Sequence, residues 1–479
     1  MPLPVNTQRV SYTADGGKKE RMGASRLCRL IKRGLMMYCM LKQPIRRWPL
    51  LLMLAFTFTT AQAPASEQHT RDFFADNVLP LSEPNHLSPL YDAIGERRFV
   101  LLGESTHGTH EYYYWRAKIS RELITNHRFT FIAVEGDWQA IYRLNDYVKL
   151  RNSAEGDART LLRNHAIRWP RWMWVNEDFA AFLDWLRAHN AELPMEQRVG
   201  VFGIDMQDPQ DSMEHVLAWF QQHDADHYPQ VAAAYRDILD FPEEFHGYAQ
   251  HLVHGGTRLN DQMALASQLL HNHLGDQSEN ADKATWVARE NALVAKRAEA
   301  QFYGATQQGP ESWNARARFM HEALLRLAKR HGEESRGIVW AHNTHVGDSA
   351  ATGMSNRGEV NIGHLLRTTE GEDDVFIVGF GTNQGSVIAS SDWGSEQLVM
   401  TVVPAHPESY EGLLHQSGIT QGLFVFDDAA RQGDLLTPRH QRAIGVIYRP
   451  PNEAYVPTIL TRRYDSFIYF DETQALKPL

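Results

Sequence analysis

The feature that most constrains this chain is a series of short apolar runs. Each stops at a glycine or a polar residue, and several lead into stretches with helical spacing. Phe99-Val100-Leu101-Leu102 halts at Gly103 and is followed by a helical pattern over 111–126. Phe129 to Val134 repeats the motif ahead of 137–150, and Phe179, Phe182, Leu183 and Leu186 mark a further helix before the run Val199 to Ile204. Runs that are apolar at consecutive positions read as strands buried on both faces, and their alternation with helices predicts a parallel sheet covered on both sides. The pattern lapses over 211–334, where Met263, Leu265, Leu269 and Leu270 keep helical spacing and no strand is expected. It resumes with Gly337 to Ala341, Val375 to Phe380, Gly422 to Phe426, Ile444 to Tyr448 and Ser466 to Phe470. The expected fold is α/β: a mostly parallel sheet flanked by helices, in two halves (66–210 and 335–479) separated by a large helical insertion (211–334). A chain of 479 residues is long enough to bury a sizeable core of this kind.

The N-terminal part reads differently. Arg46 and Arg47 precede the apolar stretch Leu50 to Phe58, and Ala61-Gln62-Ala63 follows as a small-x-small cleavage signal, with Ala63-Pro64-Ala65 as a nearby alternative. This layout predicts a secretory signal peptide over 40–65. The apolar stretch is shorter than the roughly 20 residues that span a bilayer, so no stable membrane insertion is expected after cleavage. Residues 1–39 are basic and without periodicity, and Met36, Met37 and Met40 are alternative starts. Both cysteines, Cys28 and Cys39, precede the cleavage point. The expected mature chain therefore has no thiol chemistry and no disulfide, and its setting is periplasmic or secreted. Residues 1–63 hold 11 Lys and Arg against 2 Asp and Glu, so the overall net charge of −10 becomes about −19 once they are gone. Such acidity argues against nucleic acid as a partner.

Three strand ends carry chemistry. The first is Gly103-Glu104-Ser105-Thr106-His107-Gly108-Thr109-His110, with Arg116 on the helix that follows. In open α/β sheets ligands gather beyond the carboxyl ends of strands. An imidazole there can take a proton from water, a carboxylate can hold its tautomer, and a guanidinium can stabilise oxyanion charge. The second is Val134-Glu135-Gly136-Asp137, and the third is Trp340-Ala341-His342-Asn343-Thr344-His345. Two strand ends with paired histidines suggest one shared crevice. A metal held by these histidines with Glu104 or Glu135 is the competing reading. The other histidines of the insertion, His251, His254, His271 and His273, read as solvated helix faces. No Gly-x-Ser-x-Gly elbow and no His-Glu-x-x-His helix occurs, which argues against a serine-hydrolase triad and a zinc protease.

Taken together these stretches resemble the erythromycin esterase family. The resemblance rests on Leu102 to Arg116, Ala133 to Asp137, the Trp-x-x-Asn-Glu helix start within Met173 to Asn190, Val201 to Asp205, Trp340 to Val346 and Arg442 to Leu479. It implies an α/β core with a helical insertion and hydrolysis of a carboxylic ester or lactone by a histidine-activated water. It points to Glu104, His107, Arg116, Glu135, His342 and His345 as the active-site set, with His107 as leading general base; no cofactor and no metal is expected, with metal dependence left open. The expected partner is a small-molecule ester or lactone, a macrolide being one candidate and antibiotic resistance one consequence. The alternatives are a metal-dependent hydrolase built on the same histidines and a non-catalytic periplasmic protein binding a metal or haem.

Overall fold

A computed structural model describes residues 65–479 apart from 83, 152–155, 167, 242–244, 275–280 and 452–454. The expected N-terminal extension and the signal sequence up to residue 64 lie outside the described residues. Among the described residues no helix is long and apolar enough to cross a membrane.

Among the described residues ten strands form in chain order: β1 Phe99–Leu102, β2 Phe131–Asp137, β3 Gly200–Asp205, β4 Gly337–Trp340, β5 Val375–Ser390, β6 Gln397–Val402, β7 Gln421–Val425, β8 Arg439–Arg442, β9 Tyr455–Thr458 and β10 Ser466–Thr473. The main sheet runs β3-β2-β4-β1-β5-β10-β7, with β6 paired to the far end of β5. Pairing is parallel from β3 through β10, and antiparallel only for β7 and β6. The mostly parallel α/β architecture expected from the apolar runs is therefore present.

The strands are buried on both faces, and the period of two sorts their side chains into two cores. Val100, Leu102, Ile132, Val134, Ile338 and Trp340 meet the helices His110–Asn126 and Glu177–Ala191 on one face. Phe99, Leu101, Phe131, Ala133 and Val339 meet Phe319, Met320, Ala323, Leu324 and Leu327 of the helix Glu311–His331 on the other. Between β3 and β4 the chain runs through helices from Pro209–His223 to Glu311–His331, and many of their apolar residues close a third core around Met213, Tyr235, Met263 and Ala292.

Two departures have physical reasons. The run Ile444 to Tyr448, expected to be a strand, makes only single bridges, Thr106 with Ile444 and Ser390 with Ile447. It donates from the Ile444 N–H to the Ser105 carbonyl at 2.8 Å and meets β5 only at that strand's last residue, Ser390, so no ladder continues. β5 extends ten residues beyond the expected Phe380, because β10 and then β6 pair with its distal half.

Register is what builds the site. Leu102 pairs with Trp340, and Val134 pairs with Trp340 from the other side. Glu104 and His342 thus each follow by two residues a position at the same level, and Glu135 follows by one. Asp205 ends β3 next door, opposite Asp137. Four adjacent strand ends, spaced about 4.8 Å apart, bring these groups within about 15 Å of each other.

Candidate active site

The β1 end supplies a linear relay. Glu104 is fully buried; its Oε1 lies 2.8 Å from His107 Nδ1, and its Oε2 accepts from Arg116 Nη2 at 2.7 Å. Arg116 has no exposed surface, and its guanidinium lies 4.3 Å from the centre of the Tyr113 ring and 5.0 Å from that of Trp340. It stands behind Glu104, so it supports the carboxylate; the oxyanion contact expected of it from sequence does not fit this position. The buried Ser105 hydroxyl is hydrogen-bonded to the Tyr112 hydroxyl at 2.6 Å. Gly103 and Gly108 permit the close packing around this loop. A β-carbon on Gly103 would overlap the Asn343 side chain, and one on Gly108 would overlap the Ile388 carbonyl.

The His107 ring faces the His342 ring, centroids 4.8 Å apart. Burial disfavours the charged form of His107 most. The Glu104 hydrogen bond and the charges of Glu135 and Glu104 outweigh burial and the nearby Arg316, so its pKa rises above the ordinary imidazole value. His342 behaves oppositely. Burial, with His107 beside it, holds its pKa well below the ordinary value. The Nδ1 of His342 accepts from the Thr344 backbone N–H at 3.2 Å and lies 2.8 Å from the Thr344 hydroxyl. The proton of this neutral ring therefore sits on Nε2, which has no well-aligned hydrogen-bond partner, although the Ser105 carbonyl is near. Asn343, between the two histidines, locks this turn. Its N–H donates to the Glu104 carbonyl at 2.8 Å, and its side chain pairs with the backbone of Phe380.

The β2 and β3 ends form a closed cluster around a guanidinium. Glu135 Oε2 accepts from the His342 backbone N–H at 2.8 Å, and Oε1 accepts from Arg316 Nη2 at 2.8 Å and lies 3.2 Å from His345 Nε2. Arg316 Nη1 lies 3.0 Å from the same imidazole nitrogen. Asp205 accepts from Arg316 Nε at 3.0 Å and from Nη2 at 2.6 Å. The His345 ring is stacked on Trp313, centroids 4.6 Å apart and planes 9° from parallel. Glu135 is buried, which favours its neutral form, yet His345, Arg316 and His107 hold its pKa well below the usual carboxylate range. Asp205 is likewise held low, against burial, chiefly by Arg316. The cation at the centre of Asp205, Glu135 and His345 is thus a guanidinium. Among the described residues no three His, Cys, Asp or Glu side chains converge as a metal site requires.

All six residues singled out from sequence meet here. His110, from the same loop motif, does not: it is part-exposed and its Nδ1 pairs with Asp178 at 2.8 Å. Thr109 occupies the N-cap position of the following helix without a side-chain capping bond, its hydroxyl lying against that of Thr106. Asn176 does cap its helix, accepting from the Phe179 N–H at 2.8 Å. Asp205, Trp313 and Arg316 were missed. Asp205 could have been found, since it ends an apolar run as Glu135 nearly does. Arg316 and Trp313 lie in a helix rich in arginine, where nothing local marks them.

A sequence model of the erythromycin esterase family matches residues 124–473. Among solved structures, a protein described as a succinoglycan biosynthesis protein superposes with a TM-score of 0.70 at 19% identity, over 87% of this chain and 100% of its own. A Bacillus cereus protein gives a TM-score of 0.70 at 18% identity with the same coverage. A variant of the erythromycin esterase EreC in its open conformation gives 0.56 at 19% identity, over 83% of this chain and 97% of its own. At such identities the structures establish a common fold. The family model spans well over half of the sequence and includes the strand ends that carry Glu135, Asp205, His342 and His345: the chain belongs to the erythromycin esterase family.

Proposed function

We propose that the crevice hydrolyses a carboxylic ester or lactone by direct attack of water, without a covalent acyl-enzyme. The observation that carries this reading is the Arg116–Glu104–His107 relay, which holds one nitrogen of the imidazole and leaves the other outside the relay, beside a serine hydrogen-bonded to Tyr112. With Nδ1–H donated to Glu104, the Nε2 lone pair of His107 takes a proton from water as the water oxygen bonds to the ester carbonyl carbon. The carbonyl oxygen becomes an oxyanion. Its nearest candidate donor is His342 Nε2–H, whose neutral ring is kept from competing for the proton by its low pKa. Collapse of the tetrahedral intermediate breaks the carbon–oxygen bond, and His107 returns its proton to the leaving alkoxide. Acid and alcohol are released and the imidazole is neutral again.

We further propose that the chain works after export, in the periplasm or outside the cell, on a small ester or lactone; a macrolide lactone is one candidate. The test is a panel of esters and lactones offered to the protein lacking residues 1–63, with acid and alcohol products identified. Hydrolysis that survives a serine-directed phosphonate supports water attack. A stable adduct on Ser105 with proportional loss of activity defeats it. Mass spectrometry of protein recovered from its native source checks export: an intact Leu50–Phe58 segment there rules the cleavage out.

A further inference from the structure

Asp205 ends β3 and touches neither His107 nor His342, yet both of its carboxylate oxygens are committed to one guanidinium. Oδ1 receives Arg316 Nε at 3.0 Å, Oδ2 receives Nη2 at 2.6 Å, and Oδ1 also takes the Met206 N–H at 2.8 Å. We propose that Asp205 is a positioning residue: its two-point grip fixes Arg316 so that this cation from the helical segment meets Glu135 and His345 together at the strand ends. This rests on the crevice being the active site.

Two observations favour positioning over a role in holding the helix down. The Glu311–His331 helix is already seated by Phe319, Met320, Ala323, Leu324 and Leu327 in the core beneath it. A buried ion pair adds little to such packing, because desolvation offsets much of its Coulomb energy. Further, Trp313 and Arg316, one turn apart, hold His345 in different ways: the ring stacks on the imidazole face while Nη1 meets its edge. Sliding the guanidinium would break the second contact and leave the first. Arginine serves here where lysine would not. Its planar fork meets His345 through Nη1, Asp205 through Nε and Nη2, and Glu135 through the same Nη2.

The experiment reads the His107 midpoint by NMR of the full mature chain carrying labelled histidine, with the resonance assigned through His107→Asn. The charged and titratable groups facing His107 are Glu104, Glu135, Arg316 and His342; those facing Asp205 are Arg316, Glu135 and Asp137. Arg316 is the one that lowers the His107 midpoint as a cation of fixed charge. In Asp205→Asn the unanchored guanidinium leaves its place, so the midpoint moves up. On a model aryl ester kcat falls about 10²-fold, the scale expected for misplacement by about 1 Å, with KM little changed. Arg316→Gln gives the same upward shift, and adding Asp205→Asn to it costs nothing more. A midpoint that moves down in Asp205→Asn shows a bare charge effect, and an unchanged midpoint with a lowered Tm shows a structural pin; either overturns the proposal. Should Asp205→Asn fail to fold, Arg316→Lys decides. It keeps the charge but loses the fork, so positioning requires the kcat loss and a raised midpoint, and normal values of both refute it. The midpoint needs no substrate, so a protein without esterase activity defeats the function proposed above and leaves this test standing.

Discussion

Two groups of carboxylate, imidazole and guanidinium meet at these strand ends, the second with one carboxylate more, and they are wired differently. On the β1 side the order is linear: Arg116 backs Glu104, Glu104 holds His107 through Nδ1, and the ring's other nitrogen takes no part in the relay. On the β2–β3 side the guanidinium sits in the middle, so Arg316 touches Asp205, Glu135 and His345 at once. A linear relay leaves one lone pair available for a proton. The closed cluster uses His345 Nε2 internally and leaves its buried Nδ1 without a hydrogen-bond partner, and the ring is further pinned under Trp313. Composition alone would make His107 and His345 equal candidates for the base; the wiring makes them unequal.

The sharpest way to break that comparison is to remove each imidazole in turn. His107→Asn keeps size and a hydrogen bond to Glu104 but cannot accept a proton at neutral pH. General-base catalysis contributes about 10²–10⁴-fold, and kcat should fall by that range with KM nearly unchanged. His345→Asn should cost less in kcat and more in local order. If His345→Asn proves the more damaging in kcat, with both variants folded by circular dichroism, the base belongs to the closed cluster.

The next effect is on stability, and it falls on the other side. Glu135 accepts from Arg316 and from the His342 backbone N–H while buried. Glu135→Gln leaves a buried cation short of a partner, which costs about 3–5 kcal/mol in comparable pairs. Urea unfolding should show that loss. A Glu135→Gln protein as stable as wild type would mean the cluster is solvated and the contrast between the two walls is smaller than drawn.

Titration separates the walls again. The His107 pKa is raised, so its protonated form is favoured in the folded state. The stability this provides is fully present below the unfolded value and is lost as pH rises through the folded one. Activity runs the opposite way, because the base works only when neutral. Esterase activity should therefore climb with pH through a midpoint above the ordinary imidazole value, while Tm declines modestly over the same window. Glu135 and Asp205, held low, provide stability present above the ordinary carboxylate value and lost as pH falls through their folded pKa. An activity midpoint below the ordinary imidazole value would shift the base to His342.

The same contrast governs how much was legible from sequence. Glu104, His107 and Arg116 lie within thirteen residues of one another, on one strand end and the next helix, so local pattern suffices to group them. Glu135, His342 and His345 were legible because each follows an apolar run, and strand ends in a parallel sheet share one edge. The sheet itself was legible wherever the runs were apolar on consecutive positions. β8 and β9 were not, since Arg439–Arg442 is a polar run and Tyr455–Thr458 is interrupted by Pro457; they pair with each other as a separate two-stranded sheet. Arg316 was hidden for a related reason. Its partners are 29, 111 and 181 residues away, and only the return of the chain from β3 through the helices to β4 brings it back.

The smallest expected effect is at His110, three residues from the proposed base. It shares the loop motif, but at the helix start beside Glu111 its ring is expected to point elsewhere. It opens the His110–Asn126 helix, with 41% of its side chain exposed and Nδ1 on Asp178 of a neighbouring helix. An exposed pair of this sort contributes about 0–1 kcal/mol, because solvent screens the charges and ordering both side chains costs entropy. Its proximity to Tyr114, 6.0 Å between ring centres, adds little, since that ring is itself half in solvent. His110→Asn should therefore leave kcat within about two-fold of wild type and shift stability by no more than the roughly 1 kcal/mol of such a pair. The backbone around it is held independently: the His110 N–H donates to the Gln474 carbonyl at 2.8 Å and the Gln474 N–H to Glu111 at 2.9 Å, and neither bond involves the ring. A kcat loss approaching that of His107→Asn would mean that the imidazole turns into the crevice during turnover. The linear relay would then no longer account for catalysis on the β1 side.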